Sequence, residues 1–143
     1  MKKVLFICHG NICRSPMAEF VLKDMVAKAG RSGEFHIVSR AVSYEESGNP
    51  VYPPARRELQ KHGIPCGGHA ATRVTEAEIA AFAPIYYMAS SNRRYLERLC
   101  GSKAQTCHPL LPRDDADPWY SGDFSQTWDD IVAGCSRILE ELT

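Results

Sequence analysis

Apolar and polar positions along this chain change period several times. Val4–Ile7 is a short, continuous apolar run, the pattern of a strand buried on both faces. Met17, Phe20, Val21, Met25 and Val26 then recur at helical spacing up to Gly30. Ser15 is the expected N-cap of that helix, with Pro16 at its first position, where a missing N–H costs little. Phe35–Val38 reads as a second strand, and 40–53 as a polar loop containing Gly-Asn-Pro. Pro54–His62 reads as a helix stopped by Gly63. Thr75 and Glu78 form a capping-box pattern for a short helix to about Phe82.

Ile85–Met88 is the expected third strand, Ser91–Cys100 a helix and Ala104–Cys107 the fourth strand. A long loop over 109–124 carries three prolines and four aspartates. Trp128, Ile131, Val132, Cys135, Ile138, Leu139 and Leu142 make an apolar stripe on a last helix. No internal repeat, low-complexity tract or linker interrupts the pattern, and residues 1–143 are expected to form one domain. Strands alternating with helices predict an α/β fold, a four-stranded parallel sheet flanked by helices on both faces. Ligands of such sheets bind at the carboxyl ends of the strands, near the switch in strand order. The first such end is Cys8.

Composition narrows the function classes. The chain has 143 residues, 44% hydrophobic and 24% charged, and its 17 basic residues balance its 17 acidic ones. That balance argues against a broad basic footprint for nucleic acid or an anionic membrane. No apolar run approaches the roughly 20 residues of a membrane helix. The opening MKKVLFICHG pairs two lysines with an apolar run too short for a signal peptide, and no cleavage site follows. A cytoplasmic location is expected, with the six unevenly spaced cysteines reduced rather than forming a secreted disulfide framework.

Residues 8–15, CHGNICRS, combine several features of one device. Gly10 and Asn11 tolerate the left-handed backbone conformation, so successive N–H groups can converge on an anion. The helix that follows adds its positive N-terminal end. Arg14 adds a planar fork for two phosphate oxygens. The same field favours thiolate at Cys8, making it a nucleophile. A cysteine six positions before an arginine carries little weight alone; the strand, Gly-Asn turn, Ser-Pro and amphipathic helix around it carry the reading. A thiolate under a phosphate cradle implies attack on phosphorus.

CHGNICRSP resembles the N-terminal signature of the low-molecular-weight protein tyrosine phosphatases, and ADPWYSGDF resembles their late Asp-Pro-aromatic signature. The resemblance spans the whole chain in length, element order and motif order. It implies a flavodoxin-like fold (phosphotyrosine protein phosphatase I-like) and a metal-independent, cofactor-free hydrolase acting on phosphotyrosine proteins. An oxyanion would sit in the loop, and neither nucleic acid nor membrane would be a partner. By the resemblance Cys8 forms a phosphocysteine and Arg14 clamps the equatorial oxygens. Asp117 protonates the leaving tyrosyl oxygen and then activates water. His9, Gly10, Asn11, Ile12, Cys13 and Ser15 form the substrate-binding loop, with Ser15 hydrogen-bonded to the thiolate. Ser39 and His69 support Asn11, and Cys13 can close a protective disulfide with Cys8. Trp119 and Tyr120 wall the pocket, although Trp119 is as readily a core residue.

Two departures stand out. Glu45 occupies a place where the family often has an aromatic, with Tyr44 as a candidate substitute, and Ala89 follows Met88 where Met-Asp is usual. Taken alone, Asp117 beside the other loop acids Asp114, Asp115 and Asp123 would be a solvated charge; Pro118, which restricts its backbone toward an extended form, and the flanking aromatics set it apart. Cys100 and Cys107 read as structural. Rival readings are a thioredoxin-coupled arsenate reductase, a phosphocysteine sugar-uptake carrier and a non-enzymatic phosphotyrosine-binding module. The first needs a thiol at the end of the third strand, where MASSN has none. The carrier needs neither Arg-Ser-Pro nor Asp-Pro, and the binding module could dispense with Cys8 or Asp117. A zinc site from Cys66, His69, Cys107 and His108 has only a weakly suggestive spacing.

Overall fold

The computed structural model describes residues 1–114 and 122–142. Strand β1 (Lys2–Cys8) leads into helix α1 (Arg14–Lys28), and a short 3-10 turn precedes β2 (Phe35–Ala41). Helices α2 (Pro53–Lys61) and α3 (Glu76–Ala81) follow, then β3 (Ile85–Tyr87) and α4 (Ser90–Cys100). A 3-10 segment, Gly101–Thr106, leads to β4 (Cys107–Pro109), and α5 (Phe124–Glu141) comes last. The four strands are parallel, in the order β2-β1-β3-β4. The chain leaves β1 toward β2 on one side and later returns to β3 on the other. The strand order therefore switches beside Cys8, where β1 and β2 end opposite each other as Cys8 and Ala41.

The apolar run in β1 is explained by its two covered faces. Val4, Phe6 and Cys8 join one core with Met17, Val21 and Leu22 of α1, Leu59 of α2 and Ile131 and Ile138 of α5. Leu5 and Ile7 join a second core with Ile79 of α3 and Leu96 of α4. Val4, Leu5, Phe6 and Ile7 are all fully buried, and each such side chain contributes about 1.5–3 kcal/mol of transfer free energy. No helix among the described residues is long and apolar enough to cross a membrane.

The Thr75–Glu78 capping box forms as its spacing predicts, with both reciprocal bonds present. Two expectations are corrected. The stretch 104–106 is a 3-10 helix and β4 starts only at Cys107. Ala104 is buried there as a single small plug between exposed neighbours, which leaves no alternation for a strand. Ser15 is not the N-cap either. The helix already begins at Arg14, with Cys13 at the cap position and no side-chain cap bond, because the Ser15 hydroxyl faces the sulfur of Cys8.

Gly134 lets α5 lie against the residue that follows β4. A β-carbon there would come within 2.6 Å of Cγ of the fully buried Leu110. Alanine normally gains about 1 kcal/mol over glycine inside a helix, but this contact overrides the gain. Gly134→Ala should lower stability by about 1–3 kcal/mol in urea unfolding, the usual cost of overpacking. Gly33→Ala, where the added carbon meets nothing within 4 Å, should stay within about 0.5 kcal/mol of wild type.

Candidate active site

The turn between β1 and α1 closes because Asn11 adopts φ 59°, the one positive φ of a non-glycine among the described residues. In that conformation its backbone N–H reaches Sγ of Cys8 at 3.3 Å. Its side chain is fully buried and fully used. Nδ2 donates to Ser15 Oγ at 2.8 Å and to Ser39 Oγ at 2.9 Å, and Oδ1 accepts the Thr72 N–H at 3.1 Å. Its carbonyl accepts Nε2–H of His69 at 2.7 Å. Glycine could take the same backbone angle and keep the His69 bond, but it would lose the side-chain ties to Ser15, Ser39 and Thr72.

Ser15 Oγ lies 3.0 Å from Cys8 Sγ, so the sulfur has a backbone amide and a hydroxyl directed at it. The sulfur sits at the carboxyl end of a central strand and just before a helix N-terminus, where positive partial charge accumulates. Arg14, the first residue of α1, is 5% exposed. Ile12 and Cys13 pack with Ala71 against Tyr52 and Phe124, which turns the loop's apolar side chains outward from the cradle. Cys8, His9, Gly10, Asn11, Ile12, Cys13, Arg14 and Ser15 thus form one continuous loop, and Ser39 and His69 both reach it through Asn11.

Two members of this network are not evident from the sequence pattern. Ser39 Oγ donates to Glu19 Oε1 at 2.6 Å, and Lys23 bonds the other oxygen. Glu19 is a nearly buried carboxylate on α1; its one sequence signal is Lys23 a helical turn later. Asn92 is the other. Its Oδ1 accepts the N–H groups of Met88 and Ala89 at the end of β3, while Nδ2 is buried with no partner among the described residues.

The departures now have a structural account. Glu45 Oε2 bonds His9 Nε2 at 3.0 Å. Tyr44 does not take the aromatic place beside His9; its ring lies 4.6 Å from the Arg73 guanidinium and its hydroxyl accepts from Arg73 at 3.1 Å. Ala89 occupies the cap position of α4 and has no side-chain acceptor. Asp114 caps that helix instead, accepting the Ser90 N–H at 3.0 Å and approaching its hydroxyl at 3.3 Å.

Asp114 and Asp123 thus both serve as acceptors at helix N-termini. Asp123 caps α5 through the Gln126 N–H at 3.0 Å, and this bond together with the Ser125 hydroxyl holds its carboxyl below the usual range. Arg113 pairs with the buried carboxylate of Asp130 at 2.7 Å. Asp117, Trp119 and Tyr120, together with Asp115, lie outside the described residues.

The remaining thiols belong to the cores. Burial pushes the Cys66, Cys100 and Cys107 thiols up. Cys66 lies in the α1–α5 core and Cys107 in the α3–α4 core, on opposite faces of the sheet, which removes the proposed zinc tetrad. No other group of three or more His, Cys, Asp or Glu is gathered for a metal among the described residues.

The comparisons agree with this geometry. Residues 3–143 match the family model described as low molecular weight phosphotyrosine protein phosphatase. The chain is 34% identical to a low molecular weight protein-tyrosine-phosphatase of Bacillus subtilis, YfkJ, covering 99% of this chain and 96% of that protein. It is also 34% identical to the human low molecular weight phosphotyrosine protein phosphatase, covering 98% and 95% of the two chains. The crystal structure of YfkJ superposes with a TM-score of 0.95 at 33% identity, covering 99% of this chain and 94% of that one. A Streptococcus pyogenes low molecular weight protein tyrosine phosphatase superposes at 0.93 with 34% identity, covering 100% and 94%. A thiol-centred amide cradle at the switch point of a β2-β1-β3-β4 sheet and a match over nearly the whole sequence lead to the same statement: this chain belongs to the low molecular weight phosphotyrosine protein phosphatase family.

Proposed function

We propose that the protein hydrolyses phosphotyrosine in protein substrates, and small aryl phosphates, through a phosphocysteine on Cys8. The observation that carries this reading is the Cys8 sulfur itself, met by the Asn11 amide and the Ser15 hydroxyl at the start of α1. Backbone N–H groups of residues 9–14 and the Arg14 guanidinium hold the phosphate oxygens, which aligns phosphorus above the sulfur. The thiolate attacks phosphorus and the bond to the tyrosyl oxygen breaks. Asp117 gives that oxygen its proton, so tyrosine leaves neutral. Water then attacks the phosphocysteine, its proton passes to the Asp117 carboxylate, the S–P bond breaks and phosphate leaves.

The network of Asn11, Ser39, His69 and Glu19 fixes the loop before substrate arrives, so little reorganisation is required during the reaction. Trp119 and Tyr120 are the residues assigned to the pocket wall. A cytoplasmic, reducing setting suits a mechanism that needs reduced thiols at Cys8 and Cys13, and none of the six cysteines is in a disulfide.

Phosphotyrosine peptides should be hydrolysed in strong preference to phosphoserine peptides. Cys8→Ser should abolish turnover while phosphate-analogue binding persists; appreciable turnover in that variant would sink the mechanism. Asp117→Asn should slow phosphotyrosine hydrolysis by roughly 10²–10⁴-fold, the range of a positioned acid. The loss should shrink for p-nitrophenyl phosphate in burst kinetics, because nitrophenolate leaves with less help. Asp115→Asn is the control, and a matching loss there would mean that the wrong aspartate is assigned.

Peroxide probes Cys13. It would oxidise the Cys8 thiolate to a sulfenic acid, and the Cys13 thiol would displace water from it to form a disulfide that dithiothreitol reopens. Recovery after peroxide should be nearly complete in wild type and much poorer in Cys13→Ser. Equal recovery would reduce Cys13 to a packing residue.

A further inference from the structure

The mouth of the thiol loop is bordered by the segment after β2, and hydrogen bonds hold that segment in place. Val42 N–H donates to the Cys8 carbonyl at 3.1 Å and Ser43 N–H to the His9 carbonyl at 3.2 Å, so residues 42–43 run beside 8–9. The Ser43 hydroxyl also lies 3.2 Å from the His9 carbonyl and 3.4 Å from the Glu45 N–H. Beyond it the chain turns, with Ser47 N–H on the Tyr44 carbonyl and Asn49 N–H on the Glu46 carbonyl. The turn places Glu45 against His9. Cγ of Glu46 lies 3.3 Å from where a β-carbon on Gly10 would stand.

His9 contacts Glu45 Oε2 at 3.0 Å and packs edge-to-face with the Tyr95 ring, their centroids 5.6 Å apart. The Glu45 side chain nevertheless stays 70% exposed. Its charge thus faces solvent against His9, the neighbour of the candidate nucleophile. Two cations of the adjoining segments are engaged elsewhere. Arg73 donates to the Tyr44 hydroxyl and the Val42 carbonyl, and Arg98 lies over the Tyr95 ring at 5.4 Å. Glu46 accepts from Asn49.

We propose that Glu45, fixed by His9, is a specificity-determining residue that favours phosphotyrosine flanked by lysine or arginine and disfavours acidic flanks. The proposal rests on the phosphatase reading of the site. A phosphotyrosine seated in the loop brings its neighbouring residues to this rim. A flanking cation there gains an attraction to an oriented, exposed carboxylate, and a flanking carboxylate meets a like charge. Because the charge is exposed, the effect is moderate and screened by salt.

The test compares kcat/KM for three phosphotyrosine peptides that differ only in lysine, alanine or glutamate on both sides of the phosphotyrosine. Each value is normalised to p-nitrophenyl phosphate, which has no flanks. Wild type at low salt should prefer the lysine peptide over the glutamate peptide by about three- to tenfold, from one attraction gained and one repulsion avoided. The preference should fall toward unity in 0.5 M salt. Glu45→Gln should flatten it and Glu45→Lys should invert it. An unchanged preference in Glu45→Gln, or none in wild type, would overturn the assignment. Hydrolysis of neither p-nitrophenyl phosphate nor any peptide would instead overturn the phosphatase reading, and this proposal with it.

Discussion

The site depends on one side chain satisfying every polar group it carries. Asn11 accepts a left-handed backbone angle, which costs a non-glycine residue conformational energy. In return it joins the 8–15 loop to Ser15 of α1 and Ser39 of β2 through buried bonds and to the 69–72 segment through half-buried ones. A buried amide with any of these partners removed is costly, because the orphaned group has lost water as well. The network is therefore cooperative in the sense that matters for catalysis: the loop has one satisfied arrangement. Glu19 extends it. Its carboxylate is held by Ser39 within the protein and by Lys23 at the surface, so the buried charge is compensated at both oxygens.

The sheet supplies the rest of the rigidity. β1 has cores on both faces, and its carboxyl end is where the chain changes direction across the sheet. Met88 N–H donates to the Ile7 carbonyl on one side and Val42 N–H to the Cys8 carbonyl on the other. Cys8 thus stands at the end of a strand bonded on both sides, and the residues that vary its surroundings arrive on neighbouring loops. That division lets Glu45 and Tyr44 change the mouth without disturbing the cradle.

What the sequence disclosed was mostly local. The Thr75–Glu78 capping box and the strand–turn–helix at 4–28 involve residues close in the chain, and both form. The 8–15 loop was legible as a candidate site for the same reason, since its residues are consecutive. Non-local partners were hidden. Ser15 before a proline has the pattern of a cap, yet its hydroxyl is drawn to the sulfur seven residues earlier. Glu19 has the look of an ordinary charged helix position because its Ser39 partner lies on another strand. Asp114 reads as a loop acid because Ser90 is twenty-four residues away. β4 was misplaced since the apolar content of 104–107 is too sparse to distinguish a 3-10 turn from a short strand.

The capping of α4 from outside the helix has an evolutionary side. With alanine at the cap position, the first turn of α4 takes its acceptor from Asp114, and Asp114 is reached from β4 through residues 110–113. Leu110 in that bridge is fully buried and Arg113 is tied to Asp130. An insertion or deletion there would detach the acceptor from its helix, so this connection tolerates changes of length poorly. An acidic residue at position 89 would relieve Asp114 of its capping task, while Leu110 and Arg113 would still hold the bridge in place.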